Sequence, residues 1–296
     1  MGQNSEVHLF TSTHSRRNMS ASQRLRRLGA LVGASALLVS LAACSSATED
    51  SASATITEGK LTIATGEPAY YPYVIDDAPD SGEGFEAAVA YAVAEELGYD
   101  AADVVWVRTT FEAAIQPGPK DFDFNLQQYT ITEERAQNVD FSIPYYSTPQ
   151  AVITVESSPA ASATSIADLQ GLLIGAASGT TSFESIEESI QPTAGAQAFN
   201  NNDDAKLALE TGQIDALVVD LPTAFYLTGV ELTGGKIVGQ LPQSSGISDS
   251  WGFVLSKDSP LTDAINEALQ SLIDSGRLQE ITDTWLGSDQ GAPVLQ

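Results

Sequence analysis

Residues 212–222 read Gly-Gln-Ile-Asp-Ala-Leu-Val-Val-Asp-Leu-Pro. The unbroken apolar run Ala216-Leu217-Val218-Val219 predicts a strand, since a short apolar run bounded by polar and turn-prone residues suits burial on both faces. Pro222 follows Asp220 by two residues, and a proline is tolerated in the first turn of a helix, so a helix is expected to begin there. The same alternation extends outward in both directions. Upstream, strands are expected at Leu61–Ala64, Val104–Val107, Phe122–Leu126, Ala151–Val155 and Leu172–Gly175. Between them, Phe85, Ala88, Val89, Ala92, Val93, Glu96 and Leu97 fall at helical spacing with Gly98 as a stop,. Ser165–Leu169 reads as a capped helical turn, and helices are expected after Gly179-Thr180-Thr181 and over Asp203–Glu210. Downstream come a strand at Gly252–Leu255 and helices over about Leu261–Asp274 and Leu278–Trp285, with a disordered tail after Gly287. Strands alternating with helices predict an α/β fold of parallel sheets covered on both faces. Such sheets hold ligands beyond the carboxyl ends of their strands, where Asp220 stands.

The N-terminus has a different composition. Arg16, Arg17, Arg24, Arg26 and Arg27 precede an apolar run from Leu28 to Leu41, which ends in Leu41-Ala42-Ala43-Cys44. A cationic segment, a short apolar stretch and small residues make a secretory signal, too short to serve as a membrane-spanning helix. The ending resembles a bacterial lipobox, in which Cys44 would be lipidated and become the mature N-terminus; an ordinary signal peptide containing a cysteine is the alternative. Cys44 is the one cysteine of the chain, so no internal disulfide is possible,. Residues 44–58, rich in Ser, Ala and Thr, read as a flexible tether,. Met1 or Met19 could serve as the start.

Removal of residues 1–43 leaves 38 of the 39 acids and 8 of the 13 bases, a charge of −30. Nucleic acid is excluded as a partner, because phosphate binding needs clustered Lys and Arg. Both histidines, His8 and His14, lie in the leader. The remainder therefore has no means for histidine-dependent nucleophilic or acid–base catalysis, nor for a His-type zinc site. The acids Asp76, Asp77, Asp80 and Glu83 fail the calcium-loop spacing, and no glycine-rich phosphate loop occurs,. No metal or cofactor is expected.

From Lys60 to Gly287 a series of segments occurs in a distinctive order: Leu61–Thr65 with Glu67-Pro68-Ala69-Tyr70-Tyr71-Pro72-Tyr73; Gly84-Phe85-Glu86; Thr130–Ala136 leading to Val139–Ser142 and Pro144–Tyr146; Ile166–Gly171; Gly179-Thr180-Thr181; Gly212–Asp220; and Trp285-Leu286-Gly287. Together these resemble the amino-acid-binding family of bacterial ABC-importer solute-binding proteins, family 3. The resemblance implies two α/β lobes of the periplasmic-binding-protein type, with parallel-rich sheets joined by two hinge crossovers and a ligand cleft between them. Lobe one would comprise 59–149 plus 243–296 and lobe two 150–242, with hinges near Ser147–Val152 and Leu241–Ser244.

It also implies roles for particular residues. Arg135, five positions after Thr130, would bind the ligand carboxylate, a task suited to a planar guanidinium; the plain alternative is a surface arginine pairing with Glu133 or Glu134. Asp220 would bind the ammonium, or else simply cap the helix at Pro222. Thr180 and Thr181, opening a helix, would hold the carboxylate, with simple capping as the lesser role. Tyr70 and Phe111 would wall the ligand side chain, unless they are only core. Glu67 matches a position that faces cationic side chains. The chain departs from the family pattern at Gln127-Gln128-Tyr129, where small residues are usual, and at Glu86, where Asp is more frequent. Gln128 stands at a position that often contributes to ammonium binding.

The resulting expectation is an extracytoplasmic, lipid-anchored, monomeric binding protein that delivers a polar amino acid, neutral or cationic, to the permease of an ABC importer. Two alternatives fit the same residues: a dehydratase-like enzyme on the same scaffold, or a sensor for a separate membrane partner.

Overall fold

A computed structural model describes residues 54–242, 249–287 and 291–296. The leader, Cys44 and most of the tether lie outside the described residues. Two five-stranded sheets organise the rest. The first contains β1 (Leu61–Gly66), β2 (Val104–Thr109), β3 (Phe124–Asn125), β4 (Val139–Phe141) and β12 (Val254–Ser256), in the order β2-β1-β3-β12-β4. The second contains β6 (Gln150–Val155), β7 (Ile174–Ala177), β8 (Gln197–Phe199), β9 (Ala216–Asp220) and β10 (Gly235–Gln240), in the order β10-β6-β9-β7-β8. β5 (Tyr146–Ser147) and β11 (Ser250–Trp251) pair antiparallel outside both sheets.

Each sheet is parallel-rich with one reversed strand. β1 runs parallel to β2 and β3, whereas β12 is antiparallel to β3 and β4. β9 runs parallel to β7, and β7 to β8, whereas β6 is antiparallel to both β9 and β10. The reversed strands are those that follow β5 and β11. A chain entering a sheet through a connection from the other sheet starts at the cleft edge, where the other strands end. The pairing of Gln150, which opens β6, with Asp220, which closes β9, shows this directly.

Around the first sheet, α1 (Phe85–Glu96), α7 (Thr262–Asp274) and α8 (Arg277–Trp285) enclose an aromatic core. Phe124 stacks on Phe253 at 5.0 Å with an 8° interplanar angle, and Tyr145 and Trp251 pack beside them. α2 (Phe111–Ile115) covers the opposite face with Ala64, Phe122, Tyr129 and Val254. The second sheet buries aliphatic side chains on both faces. Val152, Ile174 and Val218 lie on one face; Ile153, Leu217 and Val219 lie on the other. Its helices are short: α3 (Ile166–Leu169), α4 (Thr181–Ser185), α5 (Asn202–Glu210) and α6 (Leu221–Tyr226). Ser165 and Asp168 form a reciprocal capping box on α3, as the sequence pattern suggested,. No helix among the described residues is long and apolar enough to cross a membrane.

Two sequence expectations change here. The strand expected at Phe122–Leu126 shortens to β3, because Asp123 turns its carboxylate onto the backbone N–H groups of Ile56 and Thr62 at 2.8 and 2.7 Å. The tail is not disordered over residues 291–296, nor does it join the first sheet as the sequence grouping had it. Leu295 is 2% exposed within the aliphatic core of the second sheet. Val294 bridges Gln240 in parallel register: the Gln240 N–H donates to the Pro293 carbonyl at 2.8 Å, and the Leu295 N–H donates to the Gln240 carbonyl at 2.9 Å. The tail thereby covers β10, an edge strand whose backbone would otherwise be open to pairing. Gly239 permits the approach: a Cβ there would lie 2.7 Å from the Pro293 carbonyl oxygen and 2.8 Å from Leu295 Cγ.

Candidate functional site

The cleft edge of each sheet supplies one wall of a cavity of about 330 Å³. From the first sheet come Glu67 and Tyr70, in the loop after β1, with Phe111 opening α2 and Gln128 in the turn after β3. From the second come Thr180 and Thr181 after β7, and Asp220 at the end of β9. Seven of the residues singled out in the sequence thus converge on one space. The lining also includes Glu112, Ser178, Ser182 and Asn200–Asn202, which no sequence pattern had marked.

Arg135 and Thr130 lie behind this lining. Arg135 is 6% exposed, so the surface-pair alternative fails. Its guanidinium donates to the Thr130 carbonyl at 2.7 Å and, across the cleft, to the Gly179 carbonyl at 2.8 Å, with Cζ 5.4 Å from the Phe111 ring centroid. Burial pulls its pKa down, opposed by the charge of Glu184. Two of its five N–H donors are thus committed to one carbonyl from each lobe.

Other bonds cross the cleft. Thr130 and Thr181 hydroxyls meet at 3.1 Å, Tyr73 and Thr223 hydroxyls at 2.9 Å, and Ser178 Oγ donates to Glu112 Oε1 at 2.5 Å. The Tyr71 and Tyr226 rings lie 4.2 Å apart. The two lobes are therefore in contact across the cleft.

Asp220 occupies the N-cap position of α6, yet its side chain makes no capping bond. It accepts instead from Gln150 Nε2 at 2.7 Å, and Gln150 in turn accepts from Ser182 Oγ at 2.6 Å. Burial raises the Asp220 carboxyl to about 7, helped by the nearby charge of Asp249. Asp249 is 7% exposed and is pushed up to about 6 by burial, and its Oδ1 has no hydrogen-bond partner among the described residues. Gln150 and Asp249 flank the paired strands β5 and β11, so one connection between the sheets bonds the acid through Gln150 and the other sets the charge of Asp249 near it. Neither was foreseen; the signal was Gln150 standing just after Pro149, at the cleft end of a reversed strand.

Thr180 caps α4 by accepting from the Phe183 N–H at 3.2 Å, so its hydroxyl is engaged in capping as well as lining the cavity. Tyr70 places a buried hydroxyl that has no hydrogen-bond partner among the described residues, and burial raises its pKa. Phe111 stacks on Tyr129 at 4.6 Å, and Tyr129 donates to Gln127 Oε1 at 2.8 Å. Gln127 fits because residue 66 is glycine: a Cβ there would sit 2.7 Å from its Nε2. The unusual Gln127-Gln128-Tyr129 stretch is thus integrated into the wall.

The sequence model of the bacterial extracellular solute-binding proteins, family 3, matches residues 61–288. An L-arginine-binding protein of Pseudomonas aeruginosa is 29% identical over 231 residues, 75% of this chain and 86% of that protein. The glutamate-binding protein GluB of Corynebacterium glutamicum is 28% identical over 285 residues, 92% of this chain and 94% of that one. A solved structure of an ancestral arginine-binding protein bound to glutamine aligns with a TM-score of 0.65 at 30% identity, over 78% of this chain and all of that one.

Proposed function

Because the chain belongs to family 3 of the bacterial extracellular solute-binding proteins, whose role is to bind amino acids for ABC transporters, we propose that its ligand is a polar amino acid with a preference for cationic side chains. The lining of the cavity carries this reading. It contains the carboxylates of Glu67, Glu112 and Asp220 and no lysine or arginine among its described residues. A buried ammonium or guanidinium needs such partners, and a carboxylate side chain would be repelled by them.

In this reading Asp220 and Gln128 receive the α-ammonium. Thr180 and Thr181 take the α-carboxylate at the cavity wall. Arg135 and Thr130, which lie behind that wall, join them once the Arg135–Gly179 and Thr130–Thr181 bonds across the cleft give way to the ligand. Tyr70 and Phe111 enclose the stem of the side chain, and Glu67 faces its far end. The lobes open and close about the paired connections, and the closed form is presented to the importer's permease. The chain acts by capture and not by catalysis, as the binding names of its relatives support. Cys44 carries the lipid anchor, the protein works as a monomer outside the cytoplasmic membrane, and residues 59–149 and 150–242 form the main bodies of the two lobes.

Thermal unfolding of the purified protein with each common amino acid tests this. Ligand at about 100 times its dissociation constant stabilises the fold by roughly 2.7 kcal/mol. A shift with arginine or lysine that disappears in Arg135→Ala and Asp220→Ala is expected. No shift with any amino acid, in folded protein freed of ligand, would sink the reading.

A further inference from the structure

Glu86 has no role in the scheme above. It is 1% exposed in the first turn of α1, and every donor it meets comes from elsewhere in the fold. The backbone N–H of Gln128 donates to Oε1 at 2.8 Å, the side-chain Nε2 of Gln128 donates to Oε2, and the hydroxyl of Tyr145 donates to Oε1. Gln128 itself stands at φ +53°, in the left-handed region that a glutamine occupies only when its surroundings hold it there,. Glu86 grips both its main chain and its side chain, and so supplies that hold.

Above about pH 7, where Glu86 is ionised, its carboxylate only accepts hydrogen bonds,. Beside Glu86 the Gln128 amide therefore has one stable orientation, with the NH2 end toward the acid. What remains of the amide is its carbonyl oxygen, an acceptor, on a residue that lines the cavity. A free glutamine would offer a ligand either a donor or an acceptor. The chemistry of this wall is thus set from behind it. We infer that Glu86 is a positioning residue that turns the Gln128 carbonyl toward the ligand, giving the site an ammonium acceptor on the first lobe to match Asp220 on the second. This inference depends on the amino-acid-binding reading above. It also accounts for two departures together: the longer acid at position 86 and the longer amide at position 128 are complementary in reach.

Calorimetric titrations with l-arginine and l-glutamine, each beside its α-hydroxy analogue, test the inference. The analogues present a neutral hydroxyl in place of the ammonium, and a hydrogen bond to a charged donor is roughly twice as strong as a neutral one. Glu86→Gln frees the amide to turn over. It is expected to weaken amino-acid binding by about tenfold and the analogue by only about threefold. The exchange Glu86→Gln with Gln128→Glu reverses donor and acceptor behind the wall, keeps an acceptor facing the cavity, and is expected to restore the affinity. In a Gln128→Ser background, Glu86→Gln is expected to cause no further loss. Equal losses for amino acid and analogue, or no recovery on exchange in a folded protein, would overturn the inference and leave Glu86 as a packing residue. Wild-type protein that binds an amino acid with Glu86→Gln unchanged would overturn it alone. Wild-type protein that binds neither amino acid nor any other would overturn it together with the solute-binding reading.

Discussion

The two lobes share one plan and differ in their filling. Each has four strands running one way and one reversed strand that follows a connection from the other lobe. The first lobe fills its core with Phe85, Phe124, Tyr145, Trp251 and Phe253, large rings that lock one another at defined angles. The second has no aromatic residue among the fully buried members of its two cores and spreads small aliphatic side chains over both faces of its sheet. The cavity walls follow suit: rings and an acid-anchored amide on the first lobe, hydroxyls and a carboxylate on the second. The interlocking rings make the first lobe a stiff frame beside the cavity. The second lobe has the tail along its edge strand and sets the Asp220 carboxylate in the cavity wall.

The largest expected effect tests the stiff frame. Phe253→Ala removes a ring stacked on Phe124 and should cost about 3–5 kcal/mol in urea unfolding, whereas Ile153→Val in the second lobe should cost about 0.5–1.5 kcal/mol. Phe253→Ala costing no more than Ile153→Val would mean that the two cores are equally tolerant and that the contrast has no energetic content.

A smaller effect tests the edge. Leu295→Ala should lower stability by about 2 kcal/mol, near the low end for a buried leucine because a chain end can relax around the gap. It should also expose β10 and the start of α3 to amide exchange while leaving β1 and α1 protected. Uniform loss of protection across both lobes would show that the tail supports the whole molecule, not the second sheet.

The smallest effect concerns protons at the rim of the second lobe. Asp220 at about 7 and Asp249 at about 6 stand above the usual carboxyl value of about 4,. Between these values the folded chain holds protons that the unfolded chain has released. Ligand-free stability is therefore expected to fall as pH rises through that window, most of it lost by pH 7. Glu86 of the first lobe, raised to about 7 by burial, adds to the same slope. Asp220→Asn should flatten part of the pH dependence of the urea midpoint and Glu86→Gln another part. Affinity for an amino acid should run the opposite way, rising with pH as the acceptors become charged. A urea midpoint independent of pH from 5 to 8 would contradict the assignment of these carboxyls to a desolvated rim.

Much of this was legible in the chain. The run Ala216–Val219 determined a buried strand, and its end placed Asp220 at a cleft, because apolar length and the polar break after it are local properties. The capping box at Ser165 and Asp168 and the helix from Phe85 were likewise set by residues three and four apart. Seven of the singled-out site residues reached the cavity because each sits at the end of a locally determined element. Tertiary structure alone decided the rest. Arg135 was drawn behind the wall by carbonyls 5 and 44 residues away. Gln150 met Asp220 only through antiparallel pairing across 70 residues. Glu86 reached Gln128 across 42, and the tail found Gly239 on the far sheet. Sequence patterns report what neighbours along the chain require; the direction of a strand after a crossover and the acceptor that satisfies a buried charge depend on how distant segments close on one another.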